Sequence, residues 1–315
     1  MKNFALVGAA GYIAPRHMKA IQDTENHLVA AFDPNDSVGI IDSYFPGADF
    51  FVEFERFDRH IDLLRRKGQG IDFFSICSPN YLHDAHIRHA LRSRAHAICE
   101  KPLVLAPWNI DALSEIEREG DRKIYNILQL RLHPSIRALR DKVARASEGE
   151  VFDVDLTYLT SRGHWYSASW KGDEKKSGGV AMNIGVHFFD MLGWIFGVVR
   201  KNTVHLHEED VASGYLEYER ARVRWFLSIN AEYLPQQAKQ AGKRTFRSIQ
   251  IGDEELEFSN GFTELHTESY RDILAGGGFG IEDARSCIET VHDIRNMHKS
   301  SLTGDFHPFC KNVKR

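Results

Sequence analysis

Apolar and polar positions along this chain change rhythm near residue 120. Up to that point short β-branched or apolar runs alternate with longer amphipathic stretches. Residues 4–8, 27–32, 71–77 and 96–99 predict strands, and residues 58–66 and 84–93 predict helices between them. Strand, helix, strand repetition implies parallel pairing with right-handed crossovers. Beyond residue 120 the pattern predicts a strand over 123–130, a helix over 134–146, a long alternating strand over 151–160 and a helix over 183–196. From Thr203 onward "VASGYLEYE", "RVRWFLSINAEY", "RTFRSIQIG" and "EELEFS" each alternate with period two between turn residues or charges, as an antiparallel sheet requires. Helical patterns over 263–274 and 282–298 close the chain. The expected fold is α/β, with an open parallel domain over residues 1–122 and an α+β domain over 123–315 built on a large, mostly antiparallel open sheet. Several of the later strands carry apolar residues on both faces, which predicts a self-association surface and an oligomer.

Composition narrows the function classes. A chain of 315 residues holds two domains comfortably. Its 40 Lys and Arg nearly balance its 44 Asp and Glu, so bulk charge favours neither nucleic acid nor an anionic membrane. No apolar run approaches the roughly 20 residues a bilayer demands, and the start of the chain lacks a signal-type pattern, so a cytoplasmic protein is expected. Cys77, Cys99, Cys287 and Cys310 are far apart and form no C-x-x-C, which predicts reduced, buried thiols and no metal.

"FALVGAAGYIAPRHMKAI" follows the first strand where a phosphate-binding turn would sit. Such a turn needs a tight bend, a small residue where the backbone nears the pyrophosphate, and close helix packing. Gly8, Ala10 or Gly11, and Ala14 serve those needs in a variant G-x-x-G-x-x-A spacing. Tyr12 and Ile13 lead into a helix whose N-terminus can face an anion. Asp33, ending "LVAAFD", stands where an acid takes both ribose hydroxyls and repels a 2′-phosphate, favouring NAD over NADP. An aspartate opening the turn Asp33-Pro34-Asn35-Asp36 is compatible with the same geometry.

Ligands of an open parallel sheet lie beyond its strands' carboxyl ends. Polar residues gather at two of these, "SPNYLH" over 78–83 and "EKP" over 100–102. The string "CSPNYLHDAHIRHALRSRAHAICEKPL" resembles the signature of the glucose-fructose oxidoreductase, inositol dehydrogenase and rhizopine catabolism (Gfo/Idh/MocA) family, which pairs a Rossmann domain with an α/β substrate domain. The resemblance implies that Ser78, Pro79, Asn80 and His83 line the cofactor with Glu100 beside it. It also implies that Lys101 sits near the nicotinamide, where the ring's positive charge and desolvation would lower its pKa and let it exchange a proton with a substrate hydroxyl. His83, His86 and His89 recur at i, i+3, which drifts around a helix and converges poorly on a metal; a solvated face is expected for His86 and His89.

On the substrate side, "SGGVAMNIGVHFFDML" puts Asn183 and His187 four apart, expected on one helical face, with Asp190 on a neighbouring line. Members of the family carry D-x-G-x-H-x-x-D here; this chain keeps the histidine and has Asn183 for the first aspartate. An amide neither accepts a proton nor raises the imidazole's pKa, so Asn183 is expected to hydrogen-bond substrate while Lys101 and His187 share acid–base work. A structural role for His187 stays open. The connection "TSRGHWYSASWKGDEKKSGG" mixes Arg162, Lys171, Lys175 and Lys176 with Trp165, Tyr166 and Trp170, which suits an anionic substrate with a ring to stack upon. A solvated loop with an aromatic anchor is the alternative. Gln129 and Arg131 offer an amide and a planar fork to sugar hydroxyls, carboxylate or phosphate.

"GAAGYIAPRHMKAI", "LQLRLHPSI" and "SWKGDEKKSGGVAMNIGVHFFD" resemble, more narrowly, a branch of that family acting on nucleotide sugars. That resemblance implies NAD-dependent oxidation of the C3 hydroxyl of UDP-N-acetylglucosaminuronate to a 3-keto sugar for O-antigen assembly, 2-oxoglutarate as a reoxidant in some members, and a homotetramer assembled through the open sheet. The rival expectations are an NAD-dependent dehydrogenase of a free sugar or cyclitol, and a non-catalytic dinucleotide redox sensor.

Overall fold

A computed structural model describes residues 1–256 and 264–313. The chain forms two compact units, Met1–Gln129 with Thr263–Arg285, and Leu130–Phe262 with Ser286–Arg315.

The first unit holds six parallel strands, β1 (Asn3–Val7), β2 (His27–Phe32), β3 (Asp49–Phe51), β4 (Phe73–Ile76), β5 (His96–Cys99) and β6 (Ile124–Asn126), in the order β3-β2-β1-β4-β5-β6. The order reverses between β1 and β4, so the crevice where such sheets bind ligands opens beyond Val7 and Ile76. Residues 4–7 and 73–76 are buried throughout, the mark of parallel strands covered on both faces. Helices Ala14–Asp23, Phe54–Arg66, His83–Arg92 and Pro107–Glu119 supply that cover.

The sequence begins a second domain at residue 123, but β6 pairs in parallel with β5 and completes the first sheet. The first unit also takes back a later segment. Helix Leu265–Leu274 sets Tyr270 and Ile273 into the core formed by Phe4, Leu6, Met18, Ile21 and Phe73. Local periodicity predicts this helix without saying which unit it packs on.

The second unit is built on β7 (Phe152–Thr160), β8 (Val199–His207), β9 (Val211–Tyr218), β10 (Ala221–Ser228), β11 (Thr245–Ile251) and β12 (Glu254–Leu256), ordered β12-β11-β7-β10-β9-β8. Only the β7–β10 pairing is parallel among these strands. The remainder of the predicted "EELEFS" strand, 257–259, lies outside the described residues.

Helix Val186–Phe196 covers one face of this sheet, with Phe189 edge-on to Trp225 at 5.2 Å and Phe188 against Tyr158 at 4.8 Å. The apolar residues of the opposite face have a partner in the same chain. Leu159, Leu206, Val211 and Phe226 pack with Leu234, Phe306, Phe309 and Cys310. His307 bonds Thr157 at 3.0 Å, and Ser213 contacts Cys310 at 3.1 Å. The C-terminal segment therefore covers the apolar part of this face from within the chain. Farther along the same strands that face is charged, with Arg224 bridging Asp155 and with Asp153 and Arg222 exposed. All four cysteines are buried thiols. Among the described residues no single helix is long and apolar enough to cross a membrane.

Candidate functional site

The bend after β1 depends on Gly8. Its φ is +88°, and a Cβ there would lie 2.5 Å from the Ser78 backbone nitrogen and 2.6 Å from the Cys77 carbonyl carbon. Only glycine lets the end of β1 lie this close to the end of β4 at such a dihedral. The turn then winds tightly, with Gly11 N–H on the Gly8 carbonyl and Ala14 N–H on the Gly11 carbonyl, both at 3.0 Å. Helix Ala14–Asp23 starts without a side-chain cap. Among the described residues, the N–H groups of Tyr12 and Ile13 have no acceptor in the chain. Two available amides at an uncapped helix start fit a dinucleotide phosphate.

Asp33 is buried and already engaged. One oxygen takes the Asn35 backbone and side-chain N–H groups at 2.9 and 3.0 Å, and the other takes the Ala10 N–H at 3.0 Å. Both predicted features are thus compatible here. The carboxylate opens the turn through Asn35, and of its roughly four lone-pair sites one remains for a ribose hydroxyl.

Beyond β4, Ser78 and Asn80 are buried. The His83 ring nitrogens lie 2.7 Å from the Pro102 carbonyl and 2.8 Å from that of Ser78, so the imidazole braces the 78–82 turn against the Glu-Lys-Pro segment. Burial lowers its pKa, against the pull of the two carbonyl oxygens, which favour a proton on both ring nitrogens. The solvated face expected for His86 and His89 is not observed. His86 is buried, bonds Ser78 Oγ at 2.8 Å, and is pushed down to about 4 by burial and its neighbouring histidines. His89 packs edge-on to Phe54 and Phe74 and pairs with Asp58 at 3.6 Å. The helix is sandwiched against Phe54–Arg66, so polar letters at i, i+3 spacing misled: imidazole rings are here used as flat packing groups.

Glu100 and Lys101 follow β5, and Lys101 is half-buried. Glu100 Oε1 lies 3.0 Å from His17 Nε2 and 2.8 Å from His266 Nε2, while Oε2 accepts the Lys101 backbone N–H at 3.2 Å. Burial alone would raise its pKa; the two imidazole hydrogen bonds outweigh that and hold the carboxyl well below the ordinary range. His17 Nδ1 meets the Tyr270 hydroxyl at 2.7 Å, which meets Ser75 Oγ at 2.6 Å. His17, His266, Tyr270 and Ser75 are not among the residues that motif and spacing point to. One signal was present: His17 interrupts the apolar stripe Ala14, Met18, Ile21, and an imidazole in such a stripe needs a buried partner.

Gln129 ends the stretch after β6. Among the described residues its side-chain oxygen, shut from solvent, has no hydrogen-bond partner.

In the second unit Asn183 and His187 do not share one helix. Gly179–Asn183 ends at Asn183, and Val186–Phe196 resumes after a break. The segments Glu174–Asn183 and Val186–Phe196 are bent by 46°. Gly185 stands at the corner, where a Cβ would fall 2.4 Å from the Ala181 carbonyl oxygen and 2.5 Å from Leu227 Cδ1 on β10. The i, i+4 argument for a shared face therefore does not hold across 183–187.

Asn183 donates to the Tyr166 hydroxyl at 2.6 Å, and Tyr166 is buried with its pKa raised by burial. The His187 ring packs on Phe188 and Tyr158. Arg131 is buried in a two-pronged pair with Asp190, at 3.1 and 2.7 Å, beneath Trp194, so its fork is engaged by a carboxylate of its own unit. Lys171 sits 4.0 Å over the Trp170 ring. Trp165 is exposed and edge-on to Tyr166, and Arg162 is exposed. The connection contains two short helices, His164–Ala168 and Glu174–Ser177.

Comparisons with known proteins agree with this architecture. The model of the GFO/IDH/MocA oxidoreductase family's NAD-binding Rossmann fold matches residues 2–127, and that of its C-terminal α/β domain matches 140–243. The WlbA (WbpB) dehydrogenase from Thermus thermophilus, solved with NAD and alpha-ketoglutarate, superimposes with a TM-score of 0.95 and 51% identity, covering 98% of this chain and 100% of that one. Its complex with NAD and UDP-GlcNAcA gives 0.94 and 50% over the same shares. Among curated relatives, D-glucoside 3-dehydrogenase of Escherichia coli (strain K12) is 26% identical over 43% of this chain, and the match spans 39% of that relative's length.

Proposed function

The chain belongs to the GFO/IDH/MocA oxidoreductase family, and from that premise we propose that it oxidises the C3 hydroxyl of UDP-N-acetylglucosaminuronate to the 3-keto sugar, with NAD as cofactor. The observation that carries this reading is full-length similarity, at half identity, to a dehydrogenase solved with NAD and UDP-GlcNAcA. NAD supplies a two-electron acceptor for the hydride that leaves C3. The oxygen's proton goes to a group of this chain, Lys101 or His187, as the carbon–oxygen double bond forms.

The glycine turn at 8–11, the amides of Tyr12 and Ile13, and Asp33 hold the dinucleotide, with Ser78, Asn80 and Glu100 beyond the neighbouring strand ends. Asn183, oriented by Tyr166, hydrogen-bonds the sugar. Gln129, Arg162, Trp165, Trp170 and Lys171 meet the uronate and the nucleotide. Arg131 contributes by fixing Asp190 and through it the helix that carries His187. The enzyme is cytoplasmic and homotetrameric, and 2-oxoglutarate reoxidises the nicotinamide. Its product feeds diacetamido-uronate assembly for O-antigen.

Titrating the NAD-loaded protein with UDP-N-acetylglucosaminuronate tests this. Absorbance of the reduced nicotinamide should rise with the nucleotide sugar and not with the uronate lacking UDP or with inositol. An equal rise with the free sugar would favour the cyclitol-type reading. No rise with any sugar, despite tight NAD binding, would favour a redox sensor.

A further inference from the structure

The buried group around Glu100 has a role the proposed oxidation does not by itself assign. Its members come from three places on one unit: His17 from the first helix, Glu100 from the end of β5, and His266 and Tyr270 from the returning helix Leu265–Leu274. Every side chain in it is at least nine-tenths buried. Glu100 Oε1 can only accept, so both Nε2 atoms facing it at 3.0 and 2.8 Å carry hydrogen. His17 Nδ1 is then an acceptor and receives the Tyr270 O–H, and the Tyr270 oxygen receives the Ser75 O–H.

His266 Nδ1 is buried without a partner among the described residues. Left as a lone pair it forfeits one hydrogen bond. Protonated, it would leave a charged donor unpaired, which costs more. The inventory closes as one carboxylate held by two neutral imidazoles.

A metal ion among the same three side chains fits less well. It would require both Nε2 atoms bare and would move the His266 proton to Nδ1, where no acceptor stands. Among the described residues no fourth His, Cys or carboxylate joins the group, and the ligand atoms already lie at hydrogen-bond distances.

We propose that His17 and His266 are positioning residues for proton exchange at Lys101: their Nε2–H groups fix one oxygen of Glu100, whose other oxygen holds the Lys101 backbone N–H. The inference rests on the oxidation proposed above and adds the group that sets Lys101 in place. The returning helix is thereby part of the catalytic apparatus, although the sequence separates His266 from Glu100 by 166 positions.

The neighbouring titratable groups leave this assignment clear. Cys77, Cys99 and Tyr270 have pKa values raised by burial and stay protonated, His83 is lowered by burial and turns both ring nitrogens to backbone carbonyls, and the charged groups near His17 are Glu100 itself and Arg16.

The test compares His266→Asn, whose amide is too short to reach Glu100, with His266→Gln, whose amide N–H reaches the position of Nε2. Reduction of bound NAD by UDP-N-acetylglucosaminuronate is followed in a single turnover from pH 4 to 9. With a donor gone, Glu100 protonates more readily and holds the Lys101 N–H less firmly, so His266→Asn should slow reduction about tenfold at the acid end of the range and move the acid limb upward, toward the ordinary carboxyl range. His266→Gln should restore the limb. Tyr270→Phe, which keeps the packing and deprives His17 Nδ1 of its donor, should move the limb the same way by less. Wild-type rates and limbs in both the Asn and Phe variants would overturn the proposal, as would stoichiometric metal in the wild type that is lost from His266→Asn. Failure of the wild type to reduce NAD at all would strike the underlying oxidation instead.

Discussion

At the scale of single residues, side chains that hold the fold are distinct from those that meet ligands. Gly8 belongs to both classes. A methyl group at φ +88° and 2.5 Å from the Ser78 nitrogen cannot be absorbed by a rotamer change, because what it meets is backbone. Gly8→Ala should lower the unfolding free energy by about 2 kcal/mol or more, read by denaturant titration without cofactor, and should weaken NAD binding in parallel. Arg131 gives a sharper contrast. Because it is paired inside the second unit with Asp190, Arg131→Met should destabilise by about 3–5 kcal/mol, whereas exposed Arg162→Met should change stability by about 0.5 kcal/mol or less and act on substrate affinity alone. Lys101→Ala should cut turnover about a hundredfold or more while leaving NAD affinity within a few-fold. Unchanged turnover would remove Lys101 from the chemistry. Motifs of adjacent residues were legible at this scale: Gly8 to Asp33, and Glu100 with Lys101. The partners of Glu100 were not, since His17 and His266 reach it from 83 and 166 positions away and spacing says nothing about such distances.

Among elements, the C-terminal segment carries the clearest consequence. His307 caps the turn Pro308–Asn312 by accepting the Phe309 N–H at Nδ1, and its other nitrogen meets Thr157. Burial and the Arg224 charge push its pKa down to about 4, so near neutral pH the ring accepts as the cap requires. Truncation before Leu302 should expose the apolar cluster of Leu159, Val211 and Phe226, increase binding of a hydrophobic dye and promote self-association. A truncated chain with unchanged dye binding would mean that the tail adds no cover. Apolar residues on both faces of these strands indicate two-sided burial, and the chain's own end supplies the cover over the apolar part of the second face, a partner that strand periodicity does not name. Similarly, residues 183–196 read as one helix because the letters are helical throughout. The corner at Gly185, crowded by both the Ala181 carbonyl and Leu227 of β10, is not marked by any break in the helical pattern.

For the molecule as a whole, buried neutral histidines set the pH response. His86 and His307 titrate near 4 in the folded state against an ordinary value near 6.5. Below about 6.5 the unfolded chain takes up protons that the folded chain refuses, so stability is full above that value and is lost as pH falls toward 4. Each of the two should contribute a loss on the order of 3 kcal/mol by pH 4, and His86→Phe should flatten part of the decline of the melting temperature between pH 7 and 5. Glu100, held low, adds its own loss at still more acidic pH, because its stabilisation is present above the unfolded carboxyl pKa and disappears as pH falls through the folded one. The parallel and antiparallel halves of the chain were legible from rhythm alone. The three crossings of the chain between its units were not, because periodicity identifies an element and leaves open what it packs against.

In the proposed oxidation the hydride leaves C3 of a UDP-linked uronate for the nicotinamide. UDP-N-acetylglucosaminuronate carrying deuterium at C3, mixed with the NAD-loaded protein in a single turnover, tests it by mass spectrometry of the released cofactor. One deuterium is expected on the reduced nicotinamide and none at C3 of the sugar product. Reduced cofactor without deuterium, or a sugar that keeps its label, would contradict it.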